Sequence, residues 1–314
     1  MNPFCLDSNI TFATSPFHLK TATVIGQITH DRYAALRPGG CAFYAAKTIQ
    51  ALGGAVNLLS SAGQDFQFET ELSGINRIME IGACTTEFAN VYPLAGPRIQ
   101  YVRHQSPLLH PTLLPNQWRQ AKLLIFAPVM GEMPSADWQT VRGNGHTSIF
   151  LQGFLKTAHS RERRGRRLVI PREESFDWRL LDSVNSVFLS KEDIELFASS
   201  AFLDRLIATV PVVAVTDGEN GCRIYHDHTH LEVGVFPVDA TDPTGAGDTF
   251  AAAAAMALAC GFSVESAGRL GAAAASLIVE GEGGARLNQL HFAWRRGPHI
   301  PVAPADSHSH SVAC

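Results

Sequence analysis

Residues 239–250 read DATDPTGAGDTF, and the positions that follow, Ala251 to Ala259, are almost all alanine. An alanine run of that length is helix, so Gly245-Ala246-Gly247 forms a turn at a helix N-terminus. Backbone N–H groups at such an end lack intrahelical partners, and the helix dipole adds positive potential, which suits a phosphate or a developing oxyanion. Asp248 then sets a carboxylate beside an anion site. Like charges repel in a mere phosphate cradle, but a base belongs there if it takes the proton from a hydroxyl attacking a phosphoryl group. The same residues also describe an aspartate cap on an ordinary helix, and the turn alone leaves both readings open.

Bulk composition narrows the classes. The chain has 314 residues, 46% hydrophobic and 17% charged, enough to bury a large α/β core as one domain or as two smaller ones. A net charge of −4 and a pI near 6.3 give no reason to expect nucleic acid or an anionic membrane as partner. Six cysteines are scattered without a C-x-x-C pair and read as reduced thiols in a cytoplasmic protein. The start, MNPFCLDSNITF, shows no signal peptide, and the longest uncharged run, Thr249 to Val264, falls short of the ~18 apolar residues needed to span a bilayer.

Outward from the Gly-Ala-Gly turn, strand-like and helix-like segments alternate, which predicts an α/β fold with a doubly wound sheet. The pattern predicts a strand over Thr21–Ile28, a polar turn at Thr29-His30-Asp31, a helix from Cys41 to Leu52 opened by Gly39-Gly40, and a strand over Val56–Ser60. Short alternating runs over Thr85–His104 predict a hairpin in a small β lid. Further strands are expected at 123–127, 147–152, 168–171, 187–190 and 212–216. With no repeat and no linker, the simplest division is a single domain over 1–302, its lid built from about 10–35 and 85–106, and a flexible tail at 303–314.

These residues resemble the PfkB-type, ribokinase-like carbohydrate kinases over roughly residues 20–290. Asp242 to Asp248 is similar to the family's C-terminal signature, and the resemblance implies an anion hole from the amides of Gly245, Ala246 and Gly247 with Asp248 as base. Gly26 to Asp31 matches the first strand and turn, which implies that Asp31 binds substrate hydroxyls. Pro38-Gly39-Gly40 resembles the N-terminal signature, where Gly39 and Gly40 let substrate approach the backbone. Ser190 and Asp193 fall where the family has an Asn-x-x-Glu element organising Mg²⁺ and its waters. Thr216, Gly218 and Gly221 fall on a turn that contacts nucleotide phosphates, and Gly283 lies in the loop bordering the adenine. The implied fold is a doubly wound α/β/α sandwich with a β lid, and the implied cofactors are ATP and Mg²⁺. A monovalent-cation requirement and a homodimer through the lid both stay open.

Departures from the family pattern carry information too. Tyr44 and Thr29 stand where sugar-binding Asn residues are usual, so a ribose pocket built on those amides is not expected, and Tyr44 itself is a candidate acceptor contact. Ser190 and Asp193 shorten the metal element while keeping oxygen ligands, which Mg²⁺ tolerates because it retains waters and leans on phosphate. Ala272 replaces a polar residue near the adenine edge. The lid run TTEFANVYPLAGPRIQ and the segment SIFLQGFLK look closer to the inositol-kinase-like branch than to ribokinase.

Other features have plainer readings. His226, His228 and His230 alternate and could present a metal-binding face, or form a solvent-facing hairpin; the hairpin is favoured. The basic run Arg161 to Arg167 reads as a solvated helix end and turn. Arg98, within the lid, is a candidate for phosphate or substrate. The chain has no Walker A, no G-x-S-x-G, and no dinucleotide fingerprint. The expectation is a kinase transferring the γ-phosphoryl of ATP to a hydroxyl of a small sugar or polyol, without nucleic acid or membrane. A nucleoside kinase of the same fold, or a catalytically quiet sugar-binding protein, is the alternative.

Overall fold

The computed structural model describes residues 19, 21–33, 35–91, 93, 98–138, 141–172, 176–197 and 199–304. Ten strands form one sheet, in the spatial order Val302–Pro304, Thr229–Val233, Cys222–His226, Val212–Thr216, Ser186–Ser190, His146–Phe150, Leu123–Phe126, Ala22–Ile25, Val56–Gly63 and Asn76–Gly82. From Val212–Thr216 to Asn76–Gly82 neighbours run parallel, and the last three strands at the other edge are antiparallel.

Side chains alternate along a strand, so a parallel strand covered on both faces is apolar throughout. Leu123 and Ile125 enter one core, with the helices Cys41–Ala51, Ala246–Ala259 and Val264–Ile278. Leu124 and Phe126 enter the other, with Trp118, Trp138 and Leu206. The helix Ala246–Ala259 buries every residue from Thr249 to Ala257, as a helix apolar all round must. Small side chains let its neighbour come close: at Gly271, a Cβ would lie 2.9 Å from the Phe250 ring. Gln27, Glu132 and Gln152 follow, and Ser190 ends, parallel strands at their carboxyl edge, where open α/β sheets bind ligands.

A second sheet has six strands, ordered Lys156–Arg163, Arg166–Pro171, Ile99–Val102, Glu87–Val91, Thr29–Arg32 and Leu36–Gly39. Two expectations are corrected here. Thr29-His30-Asp31 is a strand, not a turn; its buried side chains are polar, so hydrophobic periodicity does not mark it. Arg161 to Arg167 is not a helix end but the tip of a hairpin, turning through Arg164 (φ 53°) and Gly165 (φ 72°), both left-handed as a tight hairpin turn demands. The strand expected at 168–171 lies in this second sheet.

The histidines sit on the hairpin Cys222–His226/Thr229–Val233. His226 pairs with Thr229 and His230 with Tyr225, so the two imidazoles point to opposite faces, and His228 lies in the turn. No metal-binding group of His, Cys, Asp and Glu occurs among the described residues. Ala303 and Pro304, expected in the tail, pair with Glu232 and Leu231. Residues 305–314 of that tail, and the expected start of the lid at about 10–18, lie outside the described residues. No helix among the described residues is long and apolar enough to cross a membrane.

Leu124 is fully buried between parallel strands. Leu124→Ala is expected to lower unfolding stability by about 2–5 kcal/mol in a urea titration, whereas Val91→Ala on the exposed second sheet is expected to move it by less than about 1 kcal/mol.

Candidate active site

Gly245 takes the left-handed conformation (φ 78°) that opens the helix Ala246–Ala259, and it packs against Tyr44. A Cβ there would fall 2.2 Å from Tyr44 Cε1, so only glycine fits. Tyr44, expected among acceptor contacts, is 1% exposed; its ring supports the turn from beneath, and its Oη has no hydrogen-bond partner. Of the three amides expected at the anion site, that of Ala246 donates to the Pro243 carbonyl at 3.1 Å. Asp242 ties the loop down: it accepts from Thr244 N–H (2.9 Å), Gly283 N–H (3.0 Å) and Arg37 Nη1 (3.1 Å).

Asp248, in the first turn of this helix, is half-buried. Burial pushes its carboxyl up to about 6, against the opposing pull of a hydrogen bond from Cys41 and of the Lys156 and Arg98 charges; Asp193 pushes it further up. Asp31 is 7% exposed and rises to about 7, first from burial, then from the Asp248 charge, with the Thr29 hydroxyl opposing at 3.3 Å. Two poorly solvated carboxylates that act on each other's charge are placed to accept hydrogen bonds from hydroxyls of a third molecule.

The double glycine packs closely against two side chains and backbone groups of the cleft. At Gly39 a Cβ would lie 2.4 Å from the Asp31 carboxylate, and at Gly40 (φ 93°) 2.5 Å from the Gln27 carbonyl. The two glycines therefore make room for Asp31 and Gln27. Gln27 is pinned in turn: its amide N–H donates to Glu132, a buried carboxylate that also accepts from Val129 N–H at 2.7 Å and Met130 N–H at 2.8 Å.

Ser190 and Asp193 form a capping box at the start of the helix Lys191–Phe197. Asp193 Oδ2 accepts from Ser190 N–H (3.0 Å) and Oγ (2.7 Å), and Asp193 N–H donates back to Ser190 Oγ (3.0 Å). Strand pairing sets Ser190 beside Thr216, and Lys191 bridges to Asp217 at 3.0 Å, so this element and the turn carrying Gly218 and Gly221 are joined. Gly218 faces open space, while Gly221 abuts the Val233 carbonyl at 2.2 Å from a built Cβ. Arg98 reaches Glu192 at 3.4 Å. Gly283 stands over Arg37, whose side chain also pairs with Glu282 at 2.7 Å.

Several residues at the site escape sequence reasoning. Lys156 is 3% exposed and donates to Gln152 Oε1 (2.8 Å) and Gln100 Oε1 (3.3 Å). Gln152 Nε2 reaches Cys41 Sγ (2.6 Å) and Asp248 Oδ1 (3.4 Å). Tyr33 hydrogen-bonds Thr244, and Arg37 stacks on Tyr33, so the second sheet grips the loop that carries Asp248. Only Asp242 left a signal, an Asp-Pro-Thr turn opener.

Asp31 yields a stability test. Unfolded, its carboxyl titrates near 3.8; folded, it titrates near 7, so the folded state binds the extra proton between those values and loses stability as pH rises through about 7. Asp31→Asn cannot ionise. It is expected to raise the melting midpoint by about 2–4 °C at pH 8 and by little at pH 4, read by differential scanning calorimetry.

Residues 177–289 match the profile described as pfkB family carbohydrate kinase. The chain is 44% identical over 68 residues to inositol 3-kinase of Arabidopsis thaliana, covering 22% of this chain and 19% of that one. It is 31% identical over 107 residues to a nucleoside kinase of Methanocaldococcus jannaschii, covering 33% and 35% respectively. These matches thus span about a third or less of each relative's length. In fold, the chain is similar to a pyrophosphate-dependent kinase in the ribokinase family complexed with a pyrophosphate analog and myo-inositol, with TM-score 0.70, 18% identity, and coverage of 86% of this chain and 98% of that one. The segment 177–289 thus matches the pfkB carbohydrate kinase family, and the chain as a whole has a ribokinase-type fold.

Proposed function

We propose that the protein is a kinase that moves the terminal phosphoryl group of ATP to a hydroxyl of a small polyol or sugar, with Asp248 as the base. One observation carries the reading: a half-buried carboxylate, raised to about 6, stands in the first turn of a helix opened by a left-handed glycine. Such a group is ionised at neutral pH yet basic enough to take a proton from an attacking hydroxyl. The acceptor oxygen forms its bond to phosphorus as its proton passes to Asp248; the bond from phosphorus to the bridging oxygen breaks, and ADP leaves with that electron pair. The amides of Gly245 and Gly247 face the developing charge, joined by that of Ala246 when it lets go of Pro243.

Asp31 orients the acceptor, with Arg98 beside it. The lid face that bears Asp31 also bears Phe88, Asn90 and Gln100, and amide and carboxylate groups suit a molecule rich in hydroxyls. Ser190, Thr216, Gly218, Gly221 and Gly283 are assigned to the nucleotide. Asp193, with one oxygen held by the capping box, offers a hard oxygen donor that fits Mg²⁺ through water. That ion, when bound, neutralises phosphate charge.

Likeness to inositol 3-kinase and to a fold neighbour that holds myo-inositol supports a polyol acceptor, while the likeness to a nucleoside kinase keeps nucleosides as the second reading. A panel of polyols, sugars and nucleosides, each tried with MgATP and with magnesium pyrophosphate, separates them. The expected result is donor-dependent phosphorylation of a polyol or sugar; a nucleoside product would establish the second reading, and no product from any pair would refute the kinase.

Asp248→Asn keeps shape and removes the basic carboxylate. Turnover is expected to fall about 10²–10⁴-fold with the fold intact. In the wild type, turnover should climb as pH rises through about 6 and be lost below it, since only ionised Asp248 accepts the proton. Turnover by the Asn variant within a few-fold of wild type would overturn its role.

A further inference from the structure

Lys156 begins the lid strand Lys156–Arg163 directly after Gln152–Leu155, the short helix at the carboxyl end of a central parallel strand. It is 3% exposed. A buried ammonium is costly, and an apolar residue would fill a merely structural position at less cost. Its surroundings are those of the reaction centre. Gln152 accepts from Lys156 through its carbonyl and turns its amide toward Asp248 and Cys41. Gln100, across the lid, accepts from Lys156 as well. Burial lowers the Lys156 pKa; the carboxylates of Asp193, on the element assigned to the metal, and of Asp248 pull the other way and favour the ammonium, with Arg98 opposing. The ammonium therefore lies between the base, the donor side and the lid.

Resting on the kinase reading above, we propose that Lys156 is a further catalytic residue, whose ammonium meets the terminal phosphate of the donor while Gln152 and Gln100 hold it in place. It transfers no proton, since the acceptor's proton goes to Asp248. Fixed charge in a water-poor cleft acts on phosphate oxygens far more strongly than in water, and charge builds on them as the phosphoryl group transfers. Gln152 makes the arrangement a unit: one amide fixes the ammonium at one end and approaches the base at the other.

The test compares wild type, Lys156→Met and Lys156→Arg by calorimetric titration with MgADP and with Mg·AMP-PNP, which differ in the terminal phosphate. Lys156→Met is expected to bind Mg·AMP-PNP about tenfold or more weakly while MgADP affinity stays within about twofold; Lys156→Arg is expected to recover most of the loss, because it restores a charged hydrogen bond. With the acceptor found by the panel, kcat of the Met variant should fall about 10²-fold or more, with acceptor KM nearly unchanged. If the Met variant does not fold, Lys156→Gln replaces it in both measurements. Unchanged Mg·AMP-PNP affinity, or equal losses for both nucleotides, would overturn the proposal. A wild type that binds neither nucleotide would defeat the assignment of ATP as donor, and the proposal with it.

Discussion

The cleft is organised around a cost: two carboxylates, Asp31 and Asp248, are held where water solvates them poorly. Burial drives both toward their neutral forms, and the protein leaves each with few donors of its own. Much of the surrounding geometry follows. Gly39 must lack a side chain because the Asp31 carboxylate fills that space, and Gly245 must be left-handed because the loop carrying Asp248 rests on the Tyr44 ring. The buried Glu132, with three backbone amides, fixes the strand ends from which Gln27 departs.

Legibility in the sequence followed the reach of local physics. The turn before the alanine run could be read because helix propensity and glycine act over a few residues. The parallel strands could be read because both of their faces are apolar, so 123–126, 186–190 and 212–216 fall close to where periodicity sets them. Thr29–Arg32 could not, since its buried residues face a polar cleft and offer no hydrophobic signal. The hairpin at Arg164-Gly165 was obscured because its turn lacks the usual Asn or Asp before the glycine and its strands are strongly basic.

Within the site, residues inside compact motifs were accessible and residues brought in by tertiary folding were not. Asp31, Gly39, Gly40 and the loop from Asp242 to Asp248 converge in space. Lys156 and Gln152 follow an apolar strand and resemble its ordinary polar exit, and nothing in SIFLQGFLK tells a buried ammonium from a solvated one. The capping box at Ser190 and Asp193 shows how one pattern serves two purposes: a local helix start, and a buried carboxylate held at the end of a parallel strand. Tyr44, at a position associated with sugar binding, acts through its ring as a wall.

The grip of the second sheet on the loop that carries Asp248 also couples the two sides of the cleft. Arg37 bridges Asp242 and Glu282, and Tyr33 bonds Thr244, so the sheet edge that bears Asp31 is fastened to the loops around Asp242 and Gly283. Drawing that edge away breaks these contacts and loosens both walls at the same moment. Because one limb of the fastening is a partly exposed ion pair, whose strength salt weakens, ionic strength acts on both walls together.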